Sequence, residues 1–233
     1  MKLLLELSAS ELVSAQLRGE LSAVQILAAY KRRAAEVHAA ANCLTCWVPD
    51  AELAAEACDA YLALHGAPIG NLHGVPCTVK DHYAVKGLPV TMGMSSLKAR
   101  SERSGGARHD AVAVVALRAA GAVLFAKTNM TQLGSTWGGG NPAFGDTLNS
   151  HDTLRTSGGS SSGEGTVVGA GGSVFGIGSD VGGLPVGSHF VAKHATAMSA
   201  RDFSLKAHSP CLLVARSTSA RRAEEVSPLG AAV

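Results

Sequence analysis

Three short stretches hold residue types that could carry acid–base or nucleophilic chemistry. The first is Gly74-Val-Pro-Cys-Thr-Val-Lys80-Asp81, a β-prone apolar run ending in charge. A lysine at the end of a buried strand loses hydration, which lowers its pKa and lets the amine accept a proton. A strand-end lysine that merely reaches solvent would read the same. The second is Thr156-Ser-Gly-Gly-Ser160-Ser-Ser-Gly-Glu-Gly165. A serine hydroxyl both donates and accepts, so a buried serine can relay a proton, while the same composition at the surface is a solvated loop. The third is Gly176-Ile-Gly-Ser-Asp-Val-Gly-Gly183, whose successive backbone N–H groups could form a nest for an oxyanion. A phosphate-binding loop competes with that reading, but the Gly-x4-Gly-Lys-Ser/Thr spacing is missing.

The elements that must position these stretches are legible in part. Ser8-x-x-Glu11 and Ser22-x-x-Gln25 have the spacing of capping boxes, with Gly19 placed to close the first helix. Leu27, Tyr30, Ala34 and Val37 then form one apolar stripe at helical spacing. Asp110 is placed to cap a helix through Ala120 that Gly121 ends, and residues 122–127 read as a buried strand. A helix followed closely by an apolar strand predicts an α/β layer architecture. Sixteen of the fifty residues 134–183 are glycine, interleaved with Val167, Val168, Val174, Phe175 and Ile177. That mixture fits backbone that must turn tightly or approach something closely, and not a flexible linker.

Composition narrows the function. The chain has 233 residues, 46% hydrophobic and only 16% charged, which excludes a disordered polyelectrolyte and leaves room for a sizeable core. With 20 basic and 18 acidic residues and 4% aromatics, neither the charge nor the stacking surface of a nucleic-acid binder is present. Cys43-x-x-Cys46 is the one close pair among five cysteines, and no second pair completes a zinc site, so free thiols in a reducing compartment are expected. The short apolar start of the chain is interrupted by Glu6, and no run approaches the roughly 20 apolar residues of a spanning helix. A cytoplasmic protein without a membrane segment is the expectation.

Taken together, the three stretches resemble the amidase signature family, serine hydrolases that cleave amide bonds with a Ser-Ser-Lys triad. The resemblance runs from about Ser22 to Gly183 and includes Leu72-His-Gly-Val-Pro-Cys-Thr-Val-Lys80-Asp81, Lys127-Thr-Asn129, Asn141-Pro142, the Gly-Gly-Ser-Ser block and Gly178-Ser-Asp-Val-Gly-Gly183. The helical lead-in is most similar to eukaryotic-type members such as fatty acid amide hydrolases. The resemblance implies an α/β amidase signature fold, a mixed sheet covered by helices, here incomplete. It implies Lys80 as the base, Ser160 as the bridging serine after a cis peptide, and Val181, Gly182 and Gly183 as backbone donors to the oxyanion. It also implies a small-molecule amide substrate and no metal or organic cofactor.

The family's nucleophile follows directly after the Gly-Gly pair, and that position is Leu184. A leucine has neither a proton to give nor a lone pair with which to attack. Ser179 and Ser188 do not match the nucleophile's place, and Ser162 stands where the family usually has glycine. Residues 1–183 therefore read as the N-terminal part of an amidase signature domain. Residues 184–233 read as a divergent or out-of-frame tail with little strand-forming sequence beyond Cys211-Leu-Leu-Val-Ala215, and are not expected to complete the sheet. The expectation is an amidase-type protein that is inactive as it stands. A glutamyl-tRNA amidotransferase A subunit, or a non-catalytic pseudoenzyme or interaction fragment, are the alternatives. The acyl group, the amine and the oligomeric state stay open.

Overall fold

The computed structural model describes residues 4–179 with their side chains, and the backbone of Asp180, Gly187–Ala192 and Leu212–Ala215. Both capping boxes form. Ser8 and Glu11 exchange hydrogen bonds at the start of α1 (Ala9–Leu17), and Ser22 and Gln25 do so at the start of α2 (Ala23–Ala41). Each satisfies two N–H groups that the first helical turn leaves without partners. Gly19 follows the end of α1 at φ 71°, a conformation that favours glycine. The stripe of Leu27, Tyr30, Ala34 and Val37 is buried along α2.

After α2 the chain runs through β1 (Leu44–Trp47), α3 (Ala51–His65), β2 (Pro76–Lys80), α4 (Ser95–Arg103), α5 (Val112–Ala119) and β3 (Val123–Thr128). A small hairpin follows, β4 (Gly140–Asn141) with β5 (Gly145–Asp146), then α6 (Ser162–Gly169) and β6 (Phe175–Asp180). The tail contributes β7 (Gly187–Ala192) and β8 (Leu212–Ala215). These strands form one mixed sheet in the order β1-β3-β2-β6-β7-β8. The β3–β2–β6 centre is parallel, while β1 pairs antiparallel with β3 and β7 antiparallel with β6. Every residue of β2 and β3 is buried, as expected for parallel strands covered on both faces.

One expectation is corrected here. Asp110 does not cap the helix after it. Ala111 holds the N-cap position, while Asp110 accepts from the Lys86 N–H at 2.7 Å and pairs with Arg118 at 3.2 Å. A carboxylate beside a loop N–H and a guanidinium gains more from those partners than from a cap. The tail also adds strands: β7 lies antiparallel on β6, and β8 parallel on β7. Leu212–Ala215 forms β8. β7 was not foreseen, although Phe190 and Val191 are types that favour strands.

Candidate active site

Parallel pairing sets the geometry of the site. β2 runs beside β3 and β6, so Lys80 at the end of β2 comes to the same end of the sheet as the C-terminal half of β6. There the fully buried Lys80 side-chain nitrogen donates to Ser160 Oγ at 2.7 Å and lies 3.0 Å from Ser179 Oγ and 3.3 Å from the Ser179 carbonyl. Lys80 and Ser160, expected from the resemblance as base and bridging serine, are thus brought together. The Gly159–Ser160 peptide is cis. Ser179, which does not match the nucleophile's place, nevertheless turns its hydroxyl to the lysine. Val181, Gly182, Gly183 and Leu184 lie outside the described residues.

The serine block is fastened to the sheet from several sides. Ser161 Oγ accepts from the Ser179 N–H and donates to the Ser179 carbonyl, both at 3.1 Å. The Ser160 carbonyl accepts from the Thr131 N–H at 3.1 Å. Ser162, at the start of α6, donates to the Asn129 carbonyl at 3.3 Å, which gives the hydroxyl a buried partner. Asn129 in turn accepts from the Asn141 amide at 2.6 Å and donates to Thr147 Oγ1 at 2.9 Å. The Lys127-Thr-Asn129 and Asn141-Pro142 motifs therefore act as a clasp between the loop after β3 and the serine block. Tyr83 donates to the Gly178 carbonyl at 2.8 Å and holds the end of β6 to the β2 side.

Sequence reasoning missed Glu164. Its side chain is fully buried, with Thr78 Oγ1 donating to one oxygen at 2.7 Å and Thr128 Oγ1 to the other at 2.9 Å. Burial pushes the carboxyl up to about 7, against the pull of both hydroxyls and of the Lys80 charge. Two glycines make this placement possible. A Cβ on Gly176 of β6 would fall on the Glu164 carboxylate, and a Cβ on Gly163 would collide with the Cys43 carbonyl and the Asn129 N–H. The one available signal was a lone acidic residue inside a run of serine and glycine.

A second buried pair lies beside the site. Asp81 Oδ2 accepts from the Thr91 N–H at 3.0 Å, the Thr91 hydroxyl at 2.8 Å and the Met92 N–H at 2.9 Å. Its other oxygen faces the fully buried Lys127 ammonium at 3.7 Å, which also donates to the Pro89 carbonyl. This folds the loop after β2 back over the strand ends. Among the described residues, no cluster of three His, Cys, Asp or Glu side chains is placed to hold a metal ion. None of their helices is long and apolar enough to cross a membrane.

The fold defines a class, an α/β protein with a mixed sheet covered by helices and a Lys–Ser contact at its strand ends. A sequence model described as Amidase matches residues 25–183, and the chain belongs to that family. It is 40% identical to an acetamidase of Emericella nidulans over 179 residues, covering 76% of this chain and 32% of that protein. It is 37% identical to fatty-acid amide hydrolase 1 of Sus scrofa over 182 residues, covering 78% and 29% respectively. Among solved structures, a fatty acid amide hydrolase superimposes with a TM-score of 0.72 at 35% identity, covering 77% of this chain and 31% of that one. The peptide amidase of Stenotrophomonas maltophilia does so with a TM-score of 0.68 at 28% identity, covering 75% and 36%. The chain spans about a third of the length of these relatives.

Proposed function

We propose that this chain carries the proton-handling half of a Ser-Ser-Lys amidase site, for hydrolysis of non-peptide carbon–nitrogen bonds in small amides, and that it does not turn over as it stands. The observation that carries the reading is the 2.7 Å contact between Lys80 Nζ and Ser160 Oγ at the end of the central strands. A base must lie within about 3 Å of the group it deprotonates, and this pair meets that condition. In the reaction so assigned, a neutral Lys80 takes a proton through Ser160 from an attacking serine. That serine adds to the carbonyl, the proton passes back through Ser160 to the departing amine, and water then releases the acid from the acyl-enzyme and restores the serine hydroxyl. Val181, Gly182 and Gly183 would donate their N–H groups to the oxyanion.

Position 184 supplies a leucine where that attack requires a hydroxyl. Loss of the nucleophile removes the covalent route and leaves only residual effects of binding and oxyanion stabilisation. This favours a second reading, a non-catalytic relative that retains the amidase scaffold as a binding surface. A cytoplasmic location fits either reading. The test is exposure of the full chain to a fluorophosphonate probe and to a chromogenic amide. No labelling and no burst of released amine are expected. Stoichiometric labelling mapped to Ser160, Ser179 or Ser188 would show that another serine acts as nucleophile and would overturn the inactivity.

A further inference from the structure

Thr78 and Lys80 are two residues apart on β2 and therefore share one face of the sheet. On that face α6 lays its first turn, and its one acidic residue there, Glu164, takes the hydroxyls of Thr78 and Thr128 on its two oxygens. Both Lys80 and Glu164 are withdrawn from water. A charge in such a place is tolerated when an opposite charge offsets part of its lost hydration.

We propose that Glu164 is a positioning residue for the Lys80–Ser160 pair: its carboxyl group is the buried counter-charge to the Lys80 amine, and its bonds to Thr78 and Thr128 fix the start of α6 just beyond Ser160. The proposal rests on the site reading above, and adds the group that sets how readily the amine holds its proton. Gly176 supports it, because β6 leaves the carboxylate room only by lacking a side chain at that point. Among the described residues, the titratable groups that face Glu164 are few. β2 contributes Lys80 and Cys77, and the chain entering β1 contributes Cys43, with both thiols held protonated by burial. β3 presents Thr128, and β6 presents Gly176. Among the described residues the lysine is therefore the charge that the carboxyl answers, and the coupling must be reciprocal.

The test measures that coupling directly in the full chain and needs no turnover. Carbon-13 NMR of protein labelled at the glutamate carboxyls follows Glu164, its resonance assigned by its displacement in Thr128→Val. The Lys80→Met variant should move the Glu164 midpoint upward by a pH unit or more, a tenfold change in proton affinity. In the reciprocal arm, pulsed acetylation read by peptide mass spectrometry follows the Lys80 amine across pH. Its midpoint should fall by the same amount in Glu164→Gln. A Glu164 midpoint unmoved by Lys80→Met overturns the proposal, and that arm decides alone if Glu164→Gln does not fold. Labelling by the fluorophosphonate probe bears on the proposed function and not on this coupling, so the two can fail separately.

Discussion

Lys80 Nζ and Ser160 Oγ lie 2.7 Å apart although 80 positions separate them in the chain. The contact joins the end of β2 to the turn before α6, and it also constrains stability. A hydrogen bond to a charged group contributes roughly 1.5–3 kcal/mol, and the unpaired remainder of a buried ammonium is costly. The Ser160→Ala variant should therefore lose about 1–2 kcal/mol in urea unfolding, because Ser179 Oγ at 3.0 Å remains as an acceptor. Replacing both serines should cost more than the two single losses added together.

Gly176 and Gly165 should respond in opposite senses to alanine. A Cβ at Gly176 meets the Glu164 carboxylate and lies 2.6 Å from Thr78 Oγ1, so Gly176→Ala should destabilise by about 3 kcal/mol. At Gly165, inside α6, a Cβ would meet only the Ser157 carbonyl at 3.7 Å, so Gly165→Ala should be neutral or stabilise by up to about 1 kcal/mol. Thermal unfolding of the two variants distinguishes them. Equal effects would contradict the packing of α6 against β6.

Glu164 gives stability a defined pH dependence. Its carboxyl titrates at about 7 in the fold against an ordinary 4.5, so the folded state holds this proton more tightly than the unfolded chain does. The resulting stability is complete below the ordinary value and is lost as pH rises through about 7. His38 and His73, lowered by burial, act in the opposite sense as pH falls. The measurement is therefore the difference between wild type and Glu164→Gln. Relative to the variant, wild type should lose about 3 kcal/mol between acid and neutral pH, and a flat difference would show that the carboxyl does not titrate there.

Asp81→Asn should be severe. It keeps the shape that accepts from Thr91 and Met92 but leaves the buried Lys127 without its carboxylate. Removing one partner of a buried pair typically costs about 3–5 kcal/mol, whereas replacing both is far milder. Asp81→Asn combined with Lys127→Met should recover most of the loss in urea unfolding. If the double variant is as unstable as the single one, the loop after β2 depends on the aspartate for another reason.

What the sequence determines by itself is local or chemical in kind. The capping boxes at Ser8 and Ser22, the α2 stripe and the apolar runs of β2 and β3 follow from spacing, because their hydrogen bonds and burial repeat within a turn or along a strand. The Lys80 and serine-block motifs carried the family, and with it the mixed sheet and the pairing of Lys80 with Ser160. The tertiary structure alone decided the rest. Asp110 left its expected cap because a guanidinium and a loop N–H from distant positions offered stronger partners. Ser179 turned to Lys80 because parallel pairing of β2 with β6 brings two strand ends together. Glu164 became buried because Gly163 and Gly176, far apart in register, let α6 lie close on the sheet. Such contacts depend on how crossovers place one element on another, and residue spacing along the chain holds no record of that distance.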